Sequence, residues 1–164
     1  MNSDKNVVAY FERVPVPVEG TITRKELDYQ DIWQALPLYN IPAGTRTRVR
    51  ITGRNDTSET QRMGIYWFVA DPDGEIAQEY STWEAWPYTG PGAEIPFTGS
   101  GFDLDKPGKY TIWVELIMNP GDPEIVDRYI GDLCTVEAVV EEYAGTLTRK
   151  ELDYDAVRVP FPVQ

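Results

Sequence analysis

The 164-residue chain carries 27 acidic against 15 basic side chains, a net charge of −12. Such a polyanion suits neither nucleic-acid phosphates nor an anionic membrane surface, and its acidity reads as a source of solubility. With no histidine and one cysteine, Ser-His-Asp and Cys-His catalysis, His-ligated metals, thiolate zinc sites and an intrachain disulfide are all excluded.

An apolar share of 41%, with 5 Trp, 10 Tyr and 5 Phe, can build one real core. Gly and Pro, 13 each, are scattered along the chain, which suits short strands and turns. The predicted organisation is an N-terminal arm over 1–19, a β-sandwich over 20–144 and a C-terminal arm over 145–164. Met1 to Tyr10 does not read as a signal peptide, so cytoplasmic synthesis is expected, with a place in a virion or on an extracellular surface reached without one. No stretch is long and apolar enough to suggest membrane insertion.

In chain order, the first feature is a repeat. Residues 20–29 read GTITRKELDY and residues 145–154 read GTLTRKELDY, identical at nine of ten positions. A second echo sets Arg13-Val14-Pro15-Val16-Pro17-Val18 against Arg158-Val159-Pro160-Phe161-Pro162-Val163, but at an offset of 145 rather than 125. Either 145–164 opens a second repeat unit, or one sandwich is flanked by similar strand-like arms. Both leave strands without an obvious partner, and the repeats could pair within one chain or between chains.

Thr45 to Thr52 alternates, with Val49 and Ile51 on one face and Arg46, Arg48 and Arg50 on the other. Met63 to Ala70 is almost wholly apolar, as for a strand buried on both faces or nearly so. Asp71-Pro72-Asp73-Gly74 is a turn, and Glu75 to Tyr80 its hairpin partner. Residues 81–92 form an aromatic loop rich in Pro and Gly, followed by a short strand, Ala93 to Phe97. Lys109 to Met118 alternates, with Tyr110, Ile112, Val114 and Leu116 on one face and Thr111, Trp113, Glu115 and Ile117 on the other. After a loop over Asn119 to Pro123, Leu133 to Val140 is the last strand of the body.

Leu104-Asp105-Lys106-Pro107-Gly108-Lys109-Tyr110 resembles the tyrosine corner of Greek-key sandwiches, and Trp67 stands where immunoglobulin-like domains keep a core tryptophan. The chain therefore resembles the immunoglobulin-like superfamily. Ile41-Pro42-Ala43-Gly44-Thr45, Val49 to Asn55 and Ile65 to Val69 look like the CARDB-type adhesion domains within it. The resemblance covers roughly residues 40–140 and implies an all-β, immunoglobulin-like Greek-key β-sandwich; a shared fold implies no shared function.

The expected function is non-enzymatic. A structural or assembly protein, such as a capsid decoration or tail component of a virion, would self-associate through its arms by adding strands to an exposed sheet edge. Leu27 and Tyr29, their counterparts Leu152 and Tyr154, and Val159 and Phe161 would fill equivalent places. Partners are then the chain itself or other structural proteins, not nucleic acid. The alternative is an adhesion or carbohydrate-binding module in which Trp83, Trp86 and Tyr88 contact a glycan or partner, with Trp113 a further contact on an outer face. No cofactor is expected and no metal centre; Asp71, Asp73, Asp103 and Asp105 are weak calcium candidates on loops. Cys134 reads as a buried thiol, and Asn55-Asp56-Thr57, which matches a glycosylation acceptor, as a turn.

Overall fold

The structure is a computed structural model that describes residues 18–139 and the strands 151–154 and 157–160. The N-terminal arm up to residue 17, and Phe161, lie outside the described residues.

The repeat's first copy is an integral strand of the sandwich. Gly20–Tyr29 (β1) turns back into Ile32–Ala35 (β2) through Gln30 and Asp31, both left-handed at φ 56° and 61°. Two such residues match the twist of a two-residue hairpin, and Tyr29 faces Ile32 across it. The chain then forms Leu38–Pro42 (β3), Thr45–Thr47 (β4), Val49–Asn55 (β5), Met63–Ala70 (β6), Ile76–Trp83 (β7), Glu94–Thr98 (β8), Phe102–Leu104 (β9), Gly108–Met118 (β10) and Glu124–Glu137 (β11). One sheet has the order β2-β1-β5-β8, the other β3-β11-β10-β6-β7, and β4 pairs with β9 as a small ladder. The chain crosses from β5 to β6 and β7, back to β8, and again to β10 and β11, the Greek-key path of an immunoglobulin-like sandwich. A separate hairpin of Glu151–Tyr154 (β12) and Val157–Pro160 (β13) closes the described chain.

Alternation explains the core. Leu27, Val49, Ile51 and Phe97 of the first sheet are buried in one cluster with Ile65, Trp67, Val69, Tyr110, Ile112, Val114 and Leu116 of the second. The corner is present: the Tyr110 hydroxyl accepts a hydrogen bond from the Lys106 N–H at 3.1 Å, tying the entry of β10 to the loop before it. Trp67 is fully buried on β6.

Several boundaries differ from expectation for physical reasons. The run from Thr45 to Thr52 breaks at Arg48, because β4 pairs with β9 while β5 pairs with β1 and β8. β6 is fully buried on one face; on the other Gly64 is buried while Tyr66 and Phe68 are half-buried, and Phe68 stacks on Trp113 with ring centroids 6.2 Å apart. β7 runs on to Trp83, so the aromatic loop starts at Glu84. β11 begins at Glu124, well before Leu133, since its first half pairs with β10 but buries little.

Candidate functional site

The repeated hairpin and the strand that holds its first copy are the most distinctive site in the molecule. β1 lies antiparallel to β5, from Gly20 opposite Asn55 to Leu27 opposite Val49. Leu27 is fully buried and anchors the apolar side, with Ile22 beside it. The polar side is a row of matched charges. Asp28 accepts from Arg48, Glu26 pairs with Arg50 at 2.9 Å, and Arg24 pairs with Glu94. Asp56 accepts from both Arg54 and Thr21, and these hydrogen bonds, Arg54 first, hold its carboxyl below the usual range. Lys25 reaches over the Tyr129 ring at 4.6 Å, and the Ile22 N–H donates to Asp127 at 2.7 Å. Each exposed ion pair contributes little alone; together these contacts read the sequence of β1 against β5 and its neighbours β8 and β11. Tyr29 is half-buried at the end of the strand.

β2 adds a clamp. The Trp33 ring lies beneath two guanidinium groups, Arg50 at 4.2 Å and Arg48 at 5.4 Å. Arg46, the third member of the basic row, instead pairs with Asp103 at 3.0 Å on β9. All three arginines therefore have carboxylate partners and form no free basic patch. Sequence reasoning missed the clamp because Trp33 meets residues some fifteen positions further along the chain.

The second copy repeats the hairpin in the same register. β12 and β13 set Tyr154 opposite Val157, Asp153 opposite Arg158, Leu152 opposite Val159 and Glu151 opposite Pro160. β1 and β2 set Tyr29 opposite Ile32, Asp28 opposite Trp33, Leu27 opposite Gln34 and Glu26 opposite Ala35. Every pair is related by the offset of 125. Among the described residues, β12 and β13 form a sheet of two strands, without the third strand that β5 gives the first copy. Of the six expected arm residues, the structure thus places Leu27 and Tyr29 in the body, and Leu152, Tyr154 and Val159 on the second hairpin.

The aromatic loop is split. Trp83 ends β7 and packs over Gly64, where an added Cβ would fall 2.7 Å from its ring. Trp86 and Tyr88 project from the loop, 81% and 40% exposed, with Arg62 5.6 Å from the Tyr88 ring. Beneath them, buried Glu84 accepts from the Thr89 N–H at 2.7 Å and from its hydroxyl at 2.6 Å, fixing the loop on the end of the sandwich. Trp113 is half-buried on the outer face, between Phe68 and Arg128.

Three of the four calcium candidates are engaged elsewhere. Asp71 takes the Asp73 and Glu75 N–H groups, each at 2.9 Å, and pairs with Lys106, which also pairs with Asp73 at 2.7 Å. The Lys106 ammonium, with help from those N–H groups, keeps the Asp71 carboxyl below its ordinary range. Asp103 holds Arg46 and Asp105 is exposed. Among the described residues no cluster of three or more acidic, Cys or His side chains is placed to hold a metal ion. Cys134 is buried, and burial pushes its thiol up to about 12.

No protein-family model and no curated protein matches this sequence. Among solved structures, the chain is similar to the C-terminal domain of Wzt, at 12% identity and a TM-score of 0.54, over 85% of this chain and 86% of that one. It is also similar to part of a putative β-galactosidase from Bacteroides fragilis, at 11% identity and a TM-score of 0.50, over 82% of this chain and 18% of that one. At these identities the likeness is one of fold, an all-β sandwich.

Proposed function

We propose that the protein is a non-enzymatic structural module that joins an assembly through its duplicated hairpin. One observation carries this: the second hairpin keeps the register of the first but has only two strands among the described residues. An isolated two-stranded hairpin is at best marginally stable in water, whereas a third strand gives it a ladder and an apolar neighbour. The partner is a second copy or another structural protein, and a virion or the CARDB-type role in adhesion supplies a setting for such contacts. The absence of histidine from the chain supports a role without acid–base chemistry at neutral pH.

The test is the mass in solution by light scattering, with electron microscopy, up to about millimolar protein. The full chain is expected to form concentration-dependent oligomers; a variant lacking 145–164 is expected to stay monomeric while melting as before. Equal association in both overturns the reading.

A second reading rests on Trp86, whose 81% exposure on an anchored loop suits a carbohydrate or protein contact. If it holds, a panel of glycans will contain one that quenches tryptophan emission, and Trp86→Ala will abolish the response. No quenching by any glycan removes the carbohydrate contact from this reading.

A further inference from the structure

The sandwich cannot distinguish the two copies by the residues that hold β1 against β5 and its neighbours. The groups through which β1 is held are Thr21, Arg24, Lys25, Glu26, Leu27 and Asp28. The copy has the same residue type at 146, 149, 150, 151, 152 and 153. The one change within the shared segment, Ile22 to Leu147, conserves volume. The copies diverge in the returning strand, where Trp33 corresponds to Arg158 and Ala35 to Pro160. Proline at that position is tolerable on an edge strand. Arginine in place of Trp33 would remove the clamp and bring a third guanidinium towards Arg48 and Arg50.

We infer that residues 145–164 of one molecule dock on β5 of a second copy in place of its own β1 and β2, and that Trp33 reserves β5 for the resident hairpin. This rests on the self-association reading above. Each molecule has one β5 and two hairpins, so exchange replaces like interactions with like and adds none. The tethered resident competes at an effective concentration of the order of millimolar. Docking between copies therefore sets in where the protein is crowded, as in a packed assembly. The interface is head-to-tail, since donor and acceptor surfaces differ, and it builds a ring or a filament according to its rotation.

The test traps the register. Thr21 lies opposite Arg54, so Thr146 of a docked copy would too. One population of full chain carries Arg54→Cys and another carries Thr146→Cys; they are mixed, concentrated and oxidised. Cys134 is buried and does not interfere. Thr21→Cys with Arg54→Cys in one chain verifies that the geometry can be bridged. A linked heterodimer is expected. When the acceptor carries Trp33→Arg, both arginines are freed from the indole, and the yield should rise roughly two- to five-fold for each of them. Arg158→Trp in the donor leaves the acceptor untouched, supplies the missing clamp and should also raise the yield. If oligomers that require 145–164 form without the 54–146 link, or if neither substitution changes its yield, this inference falls and self-association stands. If deleting 145–164 leaves association unchanged, both fall.

Discussion

Trp67→Ala is expected to abolish the cooperative unfolding transition at ambient temperature. The side chain is fully buried at the centre of β6, and its ring lies 4.4 Å from that of Tyr80. Its Nε1–H donates to Gln78 at 2.8 Å, and Gly99 approaches so closely that an added Cβ would lie 2.7 Å from the indole. Truncating a buried tryptophan costs about 3–5 kcal/mol, and leaving the buried Gln78 acceptor unpaired adds about 1–3 kcal/mol. Domains of this size are stable by only about 5–15 kcal/mol. Trp67→Phe keeps most of the volume and loses the hydrogen bond, so it should retain a transition at lower urea. Urea unfolding followed by far-UV circular dichroism separates the three proteins. An alanine variant melting where the parent does would mean that the core is organised around other side chains.

The second large effect is expected at Asn55. This side chain has no exposure and satisfies its amide on every side. Nδ2 donates to the carbonyls of Glu59 at 2.8 Å and Thr89 at 2.9 Å. Oδ1 accepts from the Thr57 N–H at 3.0 Å and from its hydroxyl at 2.7 Å. Its backbone donates to Ala93 and accepts from Gly92. One residue at the end of β5 thus joins the loops at 56–60 and 84–93. Asn55→Ala strands several of these groups at about 1–3 kcal/mol for each that is not rehydrated, for an expected loss of at least about 3 kcal/mol. Hydrogen exchange should show the amides of Thr57, Thr89 and Gly92 opening first. A destabilisation below about 0.5 kcal/mol, or no local opening, would show that water replaces the asparagine at no cost.

The readable parts of the fold were those where neighbouring residues carry the signal. The corner from Lys106 to Tyr110 and the alternation of β10 are local patterns, and both stand in the structure. β11 was half hidden. Its register shifts where it meets Tyr110 and Thr111, and again where it meets Leu116 and Ile117, and its first nine residues are mostly exposed, so no apolar period marks them. β2 was unreadable because Ile32, Gln34 and Ala35 are exposed and Trp33 is held by Arg48 and Arg50, remote in the sequence. The repeat was plain in the sequence. That both copies form the same hairpin, and that β5 matches the first residue by residue, needed three-dimensional pairing. Trp83, Trp86 and Tyr88 looked like one group because they are close in the chain, yet Trp83 belongs to a strand and the other two to its loop.

The satisfaction of Asn55 has a consequence for how the chain could be decorated. Asn55-Asp56-Thr57 has the form of an acceptor triplet, but the amide nitrogen that would carry a sugar is committed to two carbonyls inside the protein. Thr57, the third residue of the triplet, holds its one hydroxyl proton between the same asparagine's Oδ1 at 2.7 Å and the Glu59 carbonyl at 2.8 Å. In a glycosylating compartment, transfer at this triplet and closure of the loops are mutually exclusive. A chain that folds first is refused by the transferase, and a chain modified first is barred from its native state, so a glycan at Asn55 would label molecules that failed to fold.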